Sequence, residues 1–226
     1  MTFLQLVQRL SSESGAAGSG PTAVVGQTGE AGRFVNWIAD AYREIQDSRE
    51  DWDFLRGSFT FNTVASTQGY AKSTVTNLSE WRVTKSGDIR AYLASAGVSD
   101  EQYLTYVKWN QFQERYLFGA ERSVEDRPTH FTIKPDKSIL FWPTPDAIYT
   151  INGEFYRTAY EFTADADEPI FDKHHLVIMY NALMRYSAYV SEPALYSKAE
   201  LEYKKLYRKI VRDYTSDVIT LGRSLV

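Results

Sequence analysis

The sequence has no cysteine. That excludes disulfides, a thiolate nucleophile and any zinc site built on Cys ligands. Histidine is nearly as scarce, with only His130, His174 and His175. The adjacent pair cannot place two ligands on one helix face, since neighbours are turned about 100° from each other. A helix start is the expected place for His174 and His175, and a strand for His130. No run approaches the roughly 18 apolar residues of a membrane helix. The opening MTFLQLVQRL lacks a basic leader region and a small-residue cleavage site, so no signal peptide is expected. The chain reads as cytosolic when made.

Charge of one sign is missing as well. Twenty-five Lys and Arg stand against 29 Asp and Glu, a net −4 that does not suggest bulk binding to nucleic acid or an anionic membrane. Catalytic signatures are absent too: there is no Gly-x-Ser-x-Gly elbow, calcium-loop spacing or paired-carboxylate pattern. The acids Glu50, Asp51 and Asp53, and Asp165, Asp167 and Glu168, fall in loop-like settings. Neither an enzyme nor a cofactor is expected.

Aromatic side chains are abundant: 16 Tyr, 12 Phe and 5 Trp in 226 residues. Tyr and Trp join a flat apolar body to a polar tip, which suits packed surfaces that also meet water. The excess leans toward subunit or partner interfaces; the alternative is an aromatic-rich β-domain with no partner.

The clearest element is RFVNWIADAYREIQDSREDWDFL, residues 33–55. Phe34, Trp37, Ile38, Ala41, Tyr42 and Ile45 keep the spacing of an amphipathic helix, with Arg33, Asn36, Asp40, Arg43, Glu44 and Asp47 opposite. Trp52, Phe54 and Leu55 pin its exit. Before it, residues 2–10 read as a short helix capped by Thr2, and residues 11–32 hold six of the 13 glycines in a loop. That loop lacks the Lys-Ser/Thr ending of a phosphate-binding loop.

From Ser58 the pattern alternates, as short strands do. Residues 99–118 keep a loose helical period with a capping-box spacing at Ser99 and Gln102, and predict one or two helices. His130–Ile133, Ser138–Trp142 and Ala147–Arg157 read as three strands of an antiparallel meander. Asp172 caps a predicted helix to about Val190, and a second runs from about Ala194 to Tyr214. Its Lys204, Lys205, Arg208, Lys209 and Arg212 form a basic stripe, either a solvated helix face or a docking site for an acidic partner or for phosphates.

The expected fold is α+β. An antiparallel bundle is built from N-terminal helices (1–57) and a C-terminal hairpin (166–214), with an inserted antiparallel β-domain (58–165) and a tail (215–226). The reason is that neither helical end can bury its apolar face alone.

The run ESGAAGSGPTAVVGQTGEAGRFVNWIADAYREIQ followed by WDFL resembles the opening of head-to-tail adaptor proteins of tailed, mainly short-tailed, bacteriophages. HFTIKPDKSILFWPTPD with YTINGEFYR, and EPIFDKHHLVIMYNALMRYSAY ahead of a Tyr-rich helix, extend the resemblance over nearly the whole chain. It implies a virion structural protein at the head–tail junction, assembled in the host cytoplasm as a homo-oligomeric ring of twelve below the portal. The helices would line or abut a DNA channel, and a tail or nozzle protein would sit below. It also implies that a terminal segment reaches into the portal. Val218, Ile219, Leu221, Leu225 and Val226 are the candidates for that contact. Gly15, Gly18, Gly20, Gly26 and Gly29 mark a loop for a neighbouring subunit. Two other classes compete. A carbohydrate- or receptor-binding tail module would stack sugars on exposed Trp81, Trp109 and Trp142, and an independent DNA-binding protein would rest on the basic stripe alone.

Overall fold

The computed structural model describes residues 1–16, 20–84 and 88–215. The order is α1 (Phe3–Ser14), α2 (Gly29–Asp47), β1 (Arg56–Asn62), β2 (Gly69–Tyr70), β3 (Leu78–Trp81), β4 (Arg90–Leu93), β5 (Gln102–Tyr103), β6 (Thr105–Tyr106), α3 (Trp109–Tyr116), β7 (Glu125–Asp126), β8 (His130–Ile133), β9 (Ile139–Trp142), β10 (Thr144–Pro145), β11 (Tyr149–Arg157), α4 (Leu176–Tyr189) and α5 (Pro193–Tyr214). The chain is α+β and divides into two compact units, Met1–Phe54 with Ala159 onward, and Leu55–Thr158.

In the first unit α4 packs against α1, α2 and α5, and α1 also packs against α2. Thr2 caps α1 reciprocally with Gln5, so two otherwise orphaned backbone donors are satisfied. The helix runs on to Ser14, four residues past its predicted end, and stops at Gly15, which takes φ 75°. In α2, Phe34, Ile38, Ala41, Tyr42 and Ile45 are buried as their spacing requires, and Trp37 packs against Tyr186 and Tyr189 of α4. Trp52 is fully buried, with its Nε1 donating to the carbonyl of Ile45 at 3.1 Å. The helix α4 is buried on several sides, from Val177 and Ile178 round to Ser187, because it has three helical neighbours.

The start of α4 differs from the expectation. Asp172 is exposed and does not cap it; the helix begins at Leu176. Phe171, buried among Tyr42, Phe54 and Tyr214, anchors the preceding segment as a loop. His174, at φ 66°, sits in a conformation that no helix interior permits.

The second unit is a pair of sheets around one core. In one sheet β1, β11, β4 and β5 lie side by side, and β3 shares the β4 side of β11. The other runs β2, β9, β8, β6, and β7 pairs with β10. Between the sheets pack Phe59, Trp81, Ile89, Phe131, Phe141, Ile151 and Phe155. β8 and β9 form the expected hairpin, but β11 does not complete a meander with them. Pro143 and Pro145 interrupt the chain after β9, and the long β11 becomes the middle of the other sheet.

Residues 99–107 are also not helical. Gly97 at φ 74° and a short 3-10 turn lead into β5 and β6, which pair with β4 and β8. Only Trp109–Tyr116 of the predicted helical stretch is a helix. Tyr103 and Tyr106 matched a helical spacing, but sheet pairing on either side overrides it.

Candidate functional site

Three aromatic residues of α5, Tyr203, Tyr207 and Tyr214, are half-buried, while Tyr196 near its start is exposed. Ala199 and Ile210 are its fully buried positions. Tyr203 and Tyr207 stack with ring centres 5.6 Å apart, and Tyr207 meets Trp52 edge-on at 6.2 Å. Burial, with the Tyr207 phenol beside it, pushes the Tyr203 hydroxyl up to about 12.

The basic stripe lies on this helix, and much of its charge is answered locally. Lys204 pairs with Glu200 at 2.7 Å, Lys205 with Glu202 at 3.3 Å, and Arg212 with Asp213 at 2.8 Å. The Arg212 guanidinium, followed by His174 at 2.9 Å, holds the Asp213 carboxyl down at about 2. Arg208 and Lys209 have no acidic partner among the described residues. The effective stripe is therefore two cations wide rather than five.

The glycine loop is partly tied to its own unit. Gln8 donates to the carbonyl of Pro21 at 3.0 Å, and the Val24 amide donates to Asp165 at 2.6 Å. Gly15, Gly20, Gly26 and Gly29 all take positive φ. At Gly20 a side chain would also meet Ser11 and the backbone of Gln8 at 3.2–3.3 Å, so conformation and packing both require glycine there. Gly18 lies outside the described residues, as do Val218, Ile219, Leu221, Leu225 and Val226.

Histidines and acids are used structurally. Nε2 of His175 donates to the carbonyl of Phe171 at 2.7 Å. His130 lies beside the stacked pair Tyr116 and Trp142, and burial, with Arg115 nearby, lowers its pKa. Asp167 accepts from the amides of Thr163 and Ala164, which depresses its pKa. No group of three or more His, Asp or Glu among the described residues could hold a metal ion.

The three tryptophans proposed as a sugar platform do not make an open one. Trp81 is buried in the core and donates to the carbonyl of Lys137 at 2.8 Å. Trp142 is stacked on Tyr116 at 4.2 Å, and Trp109 is half-buried at the head of α3.

One surface was not anticipated. The outer face of the five-stranded sheet is a polar groove crossed by Arg56, Arg82 and Arg90. Glu154 accepts from both Arg56 and Arg82 at 2.9 Å, and Arg90 pairs with Glu101 at 3.3 Å. The alternation Arg56, Ser58, Thr60 along β1 was its sequence signal.

Aromatic seams inside and ion-paired helix surfaces outside describe an α+β protein. Residues 1–223 match the family model described as SU10 adaptor protein, and the chain belongs to that family. Membership is consistent with a phage head-to-tail adaptor, a virion structural component that interacts with portal and tail proteins. Comparison with curated proteins found no match. No helix among the described residues is long and apolar enough to cross a membrane.

Proposed function

We propose that the chain is a subunit of a twelve-membered ring below the portal, joining capsid to tail and continuing the DNA channel. The observation that carries this reading is the family match over residues 1–223. The helices of the N- and C-terminal segments form an antiparallel bundle about the channel, and the segment between them is an inserted β-domain. Domain limits near 57, 165 and 214 follow from that arrangement. The ring has no catalytic task and no cofactor. It assembles in the host cytoplasm, takes its place at the head–tail junction, binds the portal above and a tail or nozzle protein below, and touches DNA only in passing.

Two features support the reading. A conduit must not grip its cargo, which suits a net charge of −4 and a basic stripe that is mostly ion-paired. A subunit held by packed contacts needs aromatic surface, and Tyr189, Tyr196 and Phe118 remain exposed. In this reading residues 216–226 enter the portal through Val218, Ile219, Leu221, Leu225 and Val226, and Gly15–Gly29 orders against the next subunit.

The test is light scattering after size exclusion, on the chain alone and mixed with its portal. A ring, formed alone or on the portal, is expected, and deletion of residues 216–226 should weaken portal binding at least about tenfold. A chain that stays monomeric and ignores the portal overturns the reading. Unchanged portal binding by the deletion variant removes only the role of the tail.

A further inference from the structure

An antiparallel strand directs the backbone groups of alternate residues to alternate sides. In β1 the odd positions serve β11: Gly57, Phe59 and Phe61 stand opposite Phe155, Gly153 and Ile151, and the ladder continues where the Thr63 amide donates to the carbonyl of Tyr149 at 2.8 Å. The even positions face the other way. Ser58, Thr60 and Asn62 are exposed, and no backbone hydrogen bond reaches their amides or carbonyls from elsewhere among the described residues.

Proteins blunt such edges with proline, lysine, bulges or very short strands. β1 has none of these, and its one charged residue, Arg56, is held by Glu154. The strand runs seven residues, Arg56–Asn62, in unbroken register with β11, and contains no proline or lysine. The other sheet, in contrast, is bounded by β2 and β6, each only two residues long.

We infer that the free edge of β1 pairs antiparallel with β1 of a second copy of this chain. The strand is complementary to itself in the register centred on Phe59. Ser58 then faces Thr60 of the second copy, and Thr60 faces its Ser58, so the outward backbone groups meet as hydrogen-bonded pairs. Arg56 faces Asn62, so no like charges oppose. Gly57 faces Phe61, which repeats across the new seam the glycine–phenylalanine pairing that β1 already makes with β11 at Gly57–Phe155 and Phe59–Gly153. Phe61, half-buried in the single chain, is covered by the pairing. A shift of one residue would place polar side chains against aromatic ones on both faces. The contact is two-fold and uses one surface twice, whereas a cyclic ring repeats a head-to-tail contact, so the pair is a state of the free chain and its test needs neither portal nor ring.

The experiment compares the wild-type chain with Thr60→Pro. Proline is tolerated in an edge strand whose amide faces outward, and the bonds of β1 to β11 do not use the Thr60 amide. Sedimentation across a concentration series is expected to give wild-type particles of twice the mass of the Thr60→Pro species, with association weakened at least about tenfold in the variant. Amide hydrogen exchange of the wild type supplies a measurement that does not depend on the variant folding. Ser58, Thr60 and Asn62 should gain protection as concentration rises, while Gly57, Phe59 and Phe61 are protected throughout. Equal masses for the two proteins, or no concentration-dependent protection at the three even positions, overturns the pairing. Protection that appears only when portal or tail protein is added overturns it too, and gives the edge to another strand.

Discussion

At the scale of single residues, the core of the β unit depends on two positions that have no side chain, Gly57 against Phe155 and Gly153 against Phe59. Gly153 stands opposite Phe59, and a methyl group there would lie 2.7 Å from that ring. The ring cannot swing away freely, because Trp81 meets it edge-on at 4.9 Å and Phe61 stacks beside it at 5.9 Å. Gly153→Ala should therefore cost about 1–3 kcal/mol by overpacking, read as a lower urea midpoint with an unchanged slope. An unchanged midpoint would mean that the Phe59 ring is free to move. Two histidines set a different expectation. Burial lowers the pKa of His175, and burial with Arg115 lowers that of His130. Each binds its proton less readily in the folded chain than in the unfolded one, so the unfolded chain takes up protons first as pH falls through about 6.5. Stability should drop from there toward the folded values. Urea midpoints at pH 7.5 and 5.5 measure the drop, and His175→Gln and His130→Gln should each flatten it; a midpoint that rises on acidification contradicts the assignment.

At the scale of elements, what could be read from the sequence depended on how many sides of each element are covered. The helix α2 has one buried face, and its apolar spacing named that face residue by residue. The cap at Thr2 was equally local, and so was the Lys-Pro-Asp-Lys turn, where Asp136 accepts from the Ser138 amide at 2.9 Å. Removing the cap with Thr2→Ala should cost about 1 kcal/mol in thermal unfolding, and Thr2→Ser should restore it; equal losses from both variants would show that the methyl group, not the hydroxyl, matters there. The misread elements are those decided at a distance. Tyr103 and Tyr106 belong to strands because β4 and β8 stand ready to pair with them, at Arg90–Tyr103 and Tyr106–Phe131. The position of β11 depends on β1, β3 and β4, whose pairing no local spacing records. Asp172 looked like a cap, yet Phe171 beside it was needed in the core.

At the scale of the whole molecule, the sequence placed the cations on one helix and did not reveal which of them are ion-paired. The sequence showed five cations along α5, but Glu200, Glu202 and Asp213 pair with three of them. Arg208 and Lys209 are the cations of the stripe without an acidic partner among the described residues. In a channel-lining role these two charges act on the cargo and not on the protein's own packing, since Ala199 and Ile210 form the buried seam of the helix. Arg208→Glu with Lys209→Glu should therefore leave the thermal midpoint and the particle mass of the assembled adaptor unchanged, while altering the rate of DNA release from complete particles in a salt-dependent way. Lys204→Glu offers the contrast: it breaks the 2.7 Å pair with Glu200 and sets two acids four residues apart, so it should lower helix stability by roughly 0.5 kcal/mol with little effect on release. If both variants change the mass of the assembly instead, the stripe faces a neighbouring protein rather than the channel.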